Sequence, residues 1–292
     1  MRSRSIKIYL LNGDPEGIRS AQIVQSTTRA VAFRKLQLSE VKNKFDELSK
    51  AGVYLLLGYD EASSPIAYVG QSEVLAERLR FHSNKEDKIF WTDTIILSSI
   101  DENLTASHAR YVEARLIADA QKNVRWNVVN SQGGNKEGKL PLPERDSMEQ
   151  FIEDSKTLVG ALGCDLFKTI APDKNESSGG GASIHFFYKG QDFDAQLRIT
   201  PTQELVLQKG SKLRLKTANS VPEGVISLRT KLLDKAALLK SDDCLTLTTD
   251  YAFQSVSAAA SIVSGASVNG RTAWKMIDGR TFSDWEMEQG SV

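Results

Sequence analysis

Two apolar runs in close succession, Gly52-Val53-Tyr54-Leu55-Leu56-Leu57-Gly58-Tyr59 and Ile66-Ala67-Tyr68-Val69-Gly70, constrain this chain more than any other stretch. Ser63-Ser64-Pro65 supplies a turn between them, and two strands joined by a short polar loop form a hairpin. Val74, Leu75, Leu79 and His82 then recur at helical spacing, so a helix follows. A third strand is expected within 90–100, centred on Thr94-Ile95-Ile96-Leu97. Thr105 is placed to cap a second helix, whose apolar stripe is Ala109, Val112, Leu116, Ile117 and Ala120. Residues 126–129 end the unit and Gly133-Gly134 closes it.

The flanks read less sharply. A strand at 6–10 ends in the turn chemistry of Asn12-Gly13-Asp14-Pro15, and 21–24 and 30–33 are strand pieces. Ser39 is placed as a helix cap, with Val41, Phe45 and Leu48 at helical spacing before Gly52. After the unit, Leu140-Pro141-Leu142-Pro143 reads as an extended connector, because each proline biases its predecessor away from helix. A helix with Met148, Phe151, Ile152, Val159 and Leu162 on one side follows. Residues 174–182 contain Asn-Glu-Ser-Ser-Gly-Gly-Gly, a flexible linker and the best boundary in the chain. Beyond it, short strands are expected at 182–188, 193–200, 204–208 and 212–217, with turns at Gly190 and Lys209-Gly210-Ser211. A helix at 225–239, a strand at 244–249 and a helix of small residues at 255–263 complete the reading. The expected division is an amino-terminal extension (1–47), a small α+β unit (48–135), a connector helix and linker (136–181) and a second α+β domain (182–292).

With 292 residues there is chain enough for two such domains. No apolar run approaches the ~20 residues that span a bilayer, and the amino terminus has charge without an apolar signal core, so no membrane is expected. Cys164 and Cys244 stand far apart without a CxxC partner, which argues for a reducing, cytoplasmic setting and against a zinc cluster or disulfide framework. The 37 basic and 37 acidic residues cancel. That balance argues against a tight non-specific nucleic-acid binder, though locally arranged basic groups are compatible with it.

Chemistry concentrates in one ordered set: Gly52-Val53-Tyr54, Tyr68-Val69-Gly70, Arg78, His82, Glu113 and Asn130. Taken singly, each residue has an ordinary reading. A strand tyrosine usually packs half-buried, Arg78 resembles its solvated neighbour Arg80, and His82 is a structural hydrogen-bonder. Glu113 lies among Arg110, Tyr111 and Arg115, which suggests an exposed ion pair; yet Val112 and Leu116 set it near the border of the apolar stripe, where a carboxylate can face a cleft. As a set they resemble the GIY-YIG nuclease family, with valine for isoleucine in both tripeptides, a change that keeps the β-branched side chain a strand needs. The resemblance covers residues 52–134. It implies an α+β fold, a small, mainly antiparallel three-stranded sheet flanked by helices, and hydrolysis of DNA phosphodiester bonds.

The roles follow from the resemblance and the chemistry of the groups. Tyr54 would help activate a water and Tyr68 would orient groups beside it. Arg78 would fork onto non-bridging phosphate oxygens, which a lysine does less rigidly. His82, one helical turn on, points to the same side. Glu113 is a hard carboxylate suited to one Mg²⁺ (or Mn²⁺) that keeps several waters. An asparagine closing the unit would support the geometry through its amide; Asn127 and Asn130 compete, and Asn130 is preferred because Val129-Asn130-Ser131 leads into Gly-Gly. Residues 50–134 carry slightly more acidic than basic groups, so grip on the substrate is expected from elsewhere.

The last hundred residues offer that second place. Ser257-Ala258-Ala259-Ala260-Ser261, Gly265, Asn269-Gly270-Arg271, Ala273-Trp274-Lys275, Asp278-Gly279 and the basic turn Gln208–Arg214 resemble a small domain of unknown function, DUF4357, found at the end of GIY-YIG proteins. Asn269-Gly270 and Asp278-Gly279 read as tight turns around a Trp274-Lys275 strand. Trp274 is expected in the core; the other reading has it stacking on bases while Lys209, Lys212, Arg214, Arg271 and Lys275 meet phosphates. The functional expectation is a metal-dependent DNA endonuclease, with RNA left open and a protein partner possible through the second domain. The competing expectation is a catalytically inactive nucleic-acid-binding or protein-interaction module that keeps the same fold.

Overall fold

The two apolar runs form the expected antiparallel hairpin, but it lies inside a larger sheet. A computed structural model describes residues 3–60, 64–85, 88–130, 140–168, 183–201, 203–218 and 221–289. Ser63, the Gly133-Gly134 pair and the Gly/Ser linker lie outside those residues. The chain divides into two units, 1–169 and 170–292.

The first unit runs β1 (Ile6–Leu10), β2 (Arg19–Ile23), β3 (Thr28–Arg34), α1 (Leu38–Lys44), β4 (Gly52–Tyr59), β5 (Pro65–Ser72), α2 (Leu75–Ser83), β6 (Trp91–Ser99), α3 (Ala106–Gln121), β7 (Asn127–Val128) and α4 (Leu142–Ala161). Among the described residues its sheet has seven strands in the order β1-β2-β3-β6-β4-β5-β7, not three. The extra strands come from the amino-terminal stretch. There β1, β2 and β3 make an antiparallel meander, and β3 pairs along β6 from Thr28↔Ser99 to Arg34↔Asp93. At the other edge β7 pairs parallel with β5.

Alternation splits the sheet residues between two apolar layers. Val53, Leu55, Leu57, Val69 and Leu97 pack beneath α3 and α4, while Tyr54, Leu56, Ile96 and Val31 pack beneath α1 and α2 with Leu75 and Leu79. Helix α4, expected as a connector, is part of this core: it buries Phe151, Ile152, Leu158 and Val159. Each such side chain stabilises the fold by about 1.5–3 kcal/mol.

Several local expectations are corrected. Ser39 does not cap α1. A 3-10 turn at Lys35–Gln37, in which Gln37 Oε1 accepts from Arg34 N at 2.9 Å, has already started the helical turn upstream. Phe45 is extended, so Leu48 sits on a separate 3-10 turn. The 140–143 stretch is not an extended connector throughout: Pro141 caps α4 and Pro143 lies in its first turn, where a missing N–H breaks no helical bond. Thr105 does cap α3, accepting from His108 N.

The second unit contains β8 (Ile184–Lys189), β9 (Asp194–Ile199), β10 (Leu205–Leu207), β11 (Lys212–Arg214), α5 (Glu223–Asp234), β12 (Leu238–Lys240), β13 (Cys244–Leu247), β14 (Tyr251–Phe253), α6 (Val256–Ser264), α7 (Gly270–Ala273) and α8 (Phe282–Gln289). Strand order is β12-β13-β11-β9-β10-β14, with β8 on β9. Helix α5 stops at Asp234, short of the expected 239, because Ala236 turns left-handed at φ 54 and leads into β12. Asn269-Gly270 opens α7 rather than a hairpin turn, Asn269 Oδ1 accepting from Arg271 N at 3.0 Å. Lys275 makes only single bridges, to Phe187 and Thr281. Both cysteines are free, and no helix among the described residues is long and apolar enough to cross a membrane.

Candidate active site

Register brings the two tripeptides together. Tyr54 lies opposite Gly70 on β5 and opposite Ile96 on β6, on the face that α2 covers. A Cβ at residue 70 would overlap the Tyr54 ring and hydroxyl, so this position must be glycine for the ring to lie flat across β5. A Cβ at residue 52 would likewise overlap the Leu97 carbonyl on β6. Tyr68, two residues back along β5, shares the face of Tyr54, with ring centroids 6.3 Å apart.

Helix α2 delivers the next two groups. Leu75, Ala76 and Leu79 anchor it to the sheet, which leaves Arg78 and His82 one turn apart beside the hairpin. The Tyr54 hydroxyl is 2.9 Å from His82 Nε2, and Arg78 Nε donates to the same oxygen at 3.3 Å. The Tyr68 and His82 rings meet edge-on at 5.7 Å. Tyr54 (0% exposed) and His82 (3%) form the floor, while half-buried Tyr68 and exposed Arg78 form the mouth.

Electrostatics set the protonation of this cluster. Burial pushes the Tyr54 phenol well above its ordinary value against the opposing pull of the Arg78 hydrogen bond, and the charges of Tyr68 and Glu113 push the same way. Tyr54 is therefore a neutral phenol across the physiological range. Arg78 is raised by its hydrogen bond to Tyr54 and by Tyr68 beside it, and stays a cation. Glu113, buried on α3, is thus within electrostatic reach of the Tyr54 hydroxyl.

Asn130 has a different place. Its amide brackets one residue of β5, Oδ1 accepting from Val69 N at 3.0 Å and Nδ2 donating to Val69 O at 2.7 Å. It extends the β5–β7 pairing and holds the Tyr-Val-Gly backbone. Asn127 is the exposed first residue of β7, paired with Ile66.

Three residues at the mouth escaped the sequence reading: Phe81, Lys85 and Lys88. Phe81 is 45% exposed, and Lys88 Nζ sits 4.5 Å from the Tyr68 ring centroid. The available sign was that Phe81 falls off the Leu75–Leu79–His82 stripe of α2, which leaves a large apolar side chain facing out.

Among the described residues no three His, Cys, Asp or Glu side chains gather in a way that could hold a metal ion. Glu113 is a carboxylate whose charge bears on the Tyr54 hydroxyl. A cation there would keep most of its shell as water and phosphate oxygen, which is the habit of Mg²⁺ rather than of zinc.

The basic residues of the second unit do not form one row. Lys209, Lys212, Arg271 and Lys275 are exposed, but Lys275 bridges to β8 and so lies across β9 and β8 from Lys212. Arg214 is ion-paired with Asp192 at 3.5 Å, and Arg271 is paired with Glu286. Trp274 is fully buried and donates from Nε1 to Val256 O at 3.0 Å, which settles it as a core residue and removes base stacking.

Neither the curated proteins nor the solved structures compared with this chain include a match. Residues 186–286 match DUF4357, a domain of unknown function, so the second unit contains that domain.

Proposed function

We propose that the first unit is a metal-dependent endonuclease of the GIY-YIG kind that hydrolyses DNA phosphodiester bonds, with the DUF4357 domain binding substrate or a protein partner. One observation carries the reading: the buried Tyr54 hydroxyl lies between a histidine nitrogen at 2.9 Å and an arginine Nε at 3.3 Å. Arginine only donates, so the Tyr54 oxygen accepts from Arg78 and its own proton is left for His82 Nε2. A tyrosine buried for packing needs one partner; this one has a cation and a base.

Because Tyr54 is held neutral, it works as a relay and not as a standing phenolate. A water at the mouth gives a proton to the Tyr54 oxygen as the phenol proton passes to His82 Nε2. The water oxygen bonds to phosphorus, the P–O bond to the departing sugar breaks, and that oxygen takes a proton from solvent. Arg78 reaches past Tyr54 toward the exposed side, where its remaining N–H groups can neutralise the non-bridging oxygens. Tyr68 closes the other side of the site, and Asn130 keeps the β5 backbone in place. Glu113 would hold Mg²⁺ or Mn²⁺, and a divalent cation there supplies positive charge for the phosphate as negative charge builds. The two free cysteines fit a cytoplasmic setting.

Plasmid and branched-DNA cleavage with Mg²⁺ or Mn²⁺ tests this reading, comparing the wild type with Arg78→Ala and Glu113→Ala. Cleavage is expected to disappear with chelation of the metal and to fall by roughly 10²-fold or more in each variant. Equal background in all three proteins would leave the catalytically inactive binding module as the function.

A further inference from the structure

Beside the paired Arg78 and His82, α2 carries a third group that the chemistry above does not use. Phe81 turns outward, 45% exposed, in a helix whose other large apolar residues, Leu75 and Leu79, are wholly buried. Its ring touches the site, with its centroid 5.9 Å from that of His82. Two cations flank it: the Arg78 guanidinium carbon lies 5.2 Å from the ring centroid and Lys85 Nζ 4.4 Å. Lys88 stands over Tyr68 on the far side of the mouth. Glu77, the one acid on α2, lies in its first turn, a helical turn before the ring.

An exposed ring set among cations fits a ligand that has flat apolar faces joined by anions. A nucleic-acid strand with unpaired bases is that ligand. Resting on the nuclease reading of the same site, we propose that Phe81 stacks on an unpaired base next to the scissile phosphate, with Lys85 on a flanking phosphate. A base arriving on the ring takes the position of Lys85, which turns to the adjoining phosphate. A base locked in a duplex must first leave its stack, so the site favours single-stranded, flapped or branched substrates over blunt duplex.

Binding of the full chain to a labelled oligo-dT and to a blunt duplex of equal length, in EDTA, tests this. Phe81→Ala should weaken oligo-dT binding roughly five- to a hundredfold while duplex affinity stays within about twofold. Phe81→Trp should keep the affinity, and the new indole fluorescence should be quenched as bases stack on it. Lys85→Ala should lower the slope of log affinity against log salt by about 0.7. Unchanged oligo-dT affinity in Phe81→Ala, equal losses on both ligands, or an unquenched indole would each overturn the proposal. These readouts need no metal and no cleavage; failure of the nuclease reading would appear instead as a wild type that binds but does not cut.

Discussion

Gly70 and Tyr54 work as one feature: the missing side chain of the first makes room for the ring of the second, which then reaches both His82 and Arg78. Gly70→Ala forces the ring off β5. We expect a loss of about 1–3 kcal/mol in thermal or urea unfolding, the usual cost of overpacking. Cleavage should fall more steeply than stability, because the hydroxyl moves relative to α2. An alanine variant of wild-type stability and rate would show that the ring does not need the gap. At this scale much of the candidate cluster was legible in the chain. Both tyrosines, Arg78, His82 and Glu113 were picked out by the ordered set that resembles the GIY-YIG family. What spacing could not convey is burial: it said nothing of a neutral phenol on the floor of the site, nor of Phe81 on its rim. Asn130 shows another limit, since only the backbone pairing of β5 and β7 makes its amide a partner for Val69.

Among elements, periodicity located the hairpin, α2, β6, α3 and α4, because each has a strong apolar pattern of one period. It did not show which edge each strand would join. Residues 6–34 look like loose strand pieces when read alone, yet paired against β6 they complete the sheet. Helix α4 reads as a linker because prolines precede it, while its Phe151 and Ile152 close the layer over β2 and β3. Ile152→Ala should therefore cost about 2–5 kcal/mol of unfolding free energy, as for a core residue. A loss below about 1 kcal/mol in a denaturant melt would return α4 to the role of connector. Short elements were least legible. Helix α5 and strand β12 merge in the apolar pattern, and only the left-handed Ala236 separates them.

For the whole molecule, charge bears on where a polyanion could be held. Acidic and basic residues balance at 37 each. On the proposed nuclease reading, salt-dependent grip would come from local groups: Lys85 in the first unit, and the separated exposed lysines Lys209, Lys212 and Lys275 of the DUF4357 domain. Single-turnover cleavage by the full chain, with excess protein and saturating Mg²⁺, is the direct test of the proposed Tyr54 relay. Tyr54→Phe keeps the ring over Gly70 and removes only the hydroxyl. Its cleavage rate should fall by about 10²-fold or more, the scale of a lost general acid–base group, with DNA affinity unchanged. A Tyr54→Phe protein that cuts at the wild-type rate would contradict the relay.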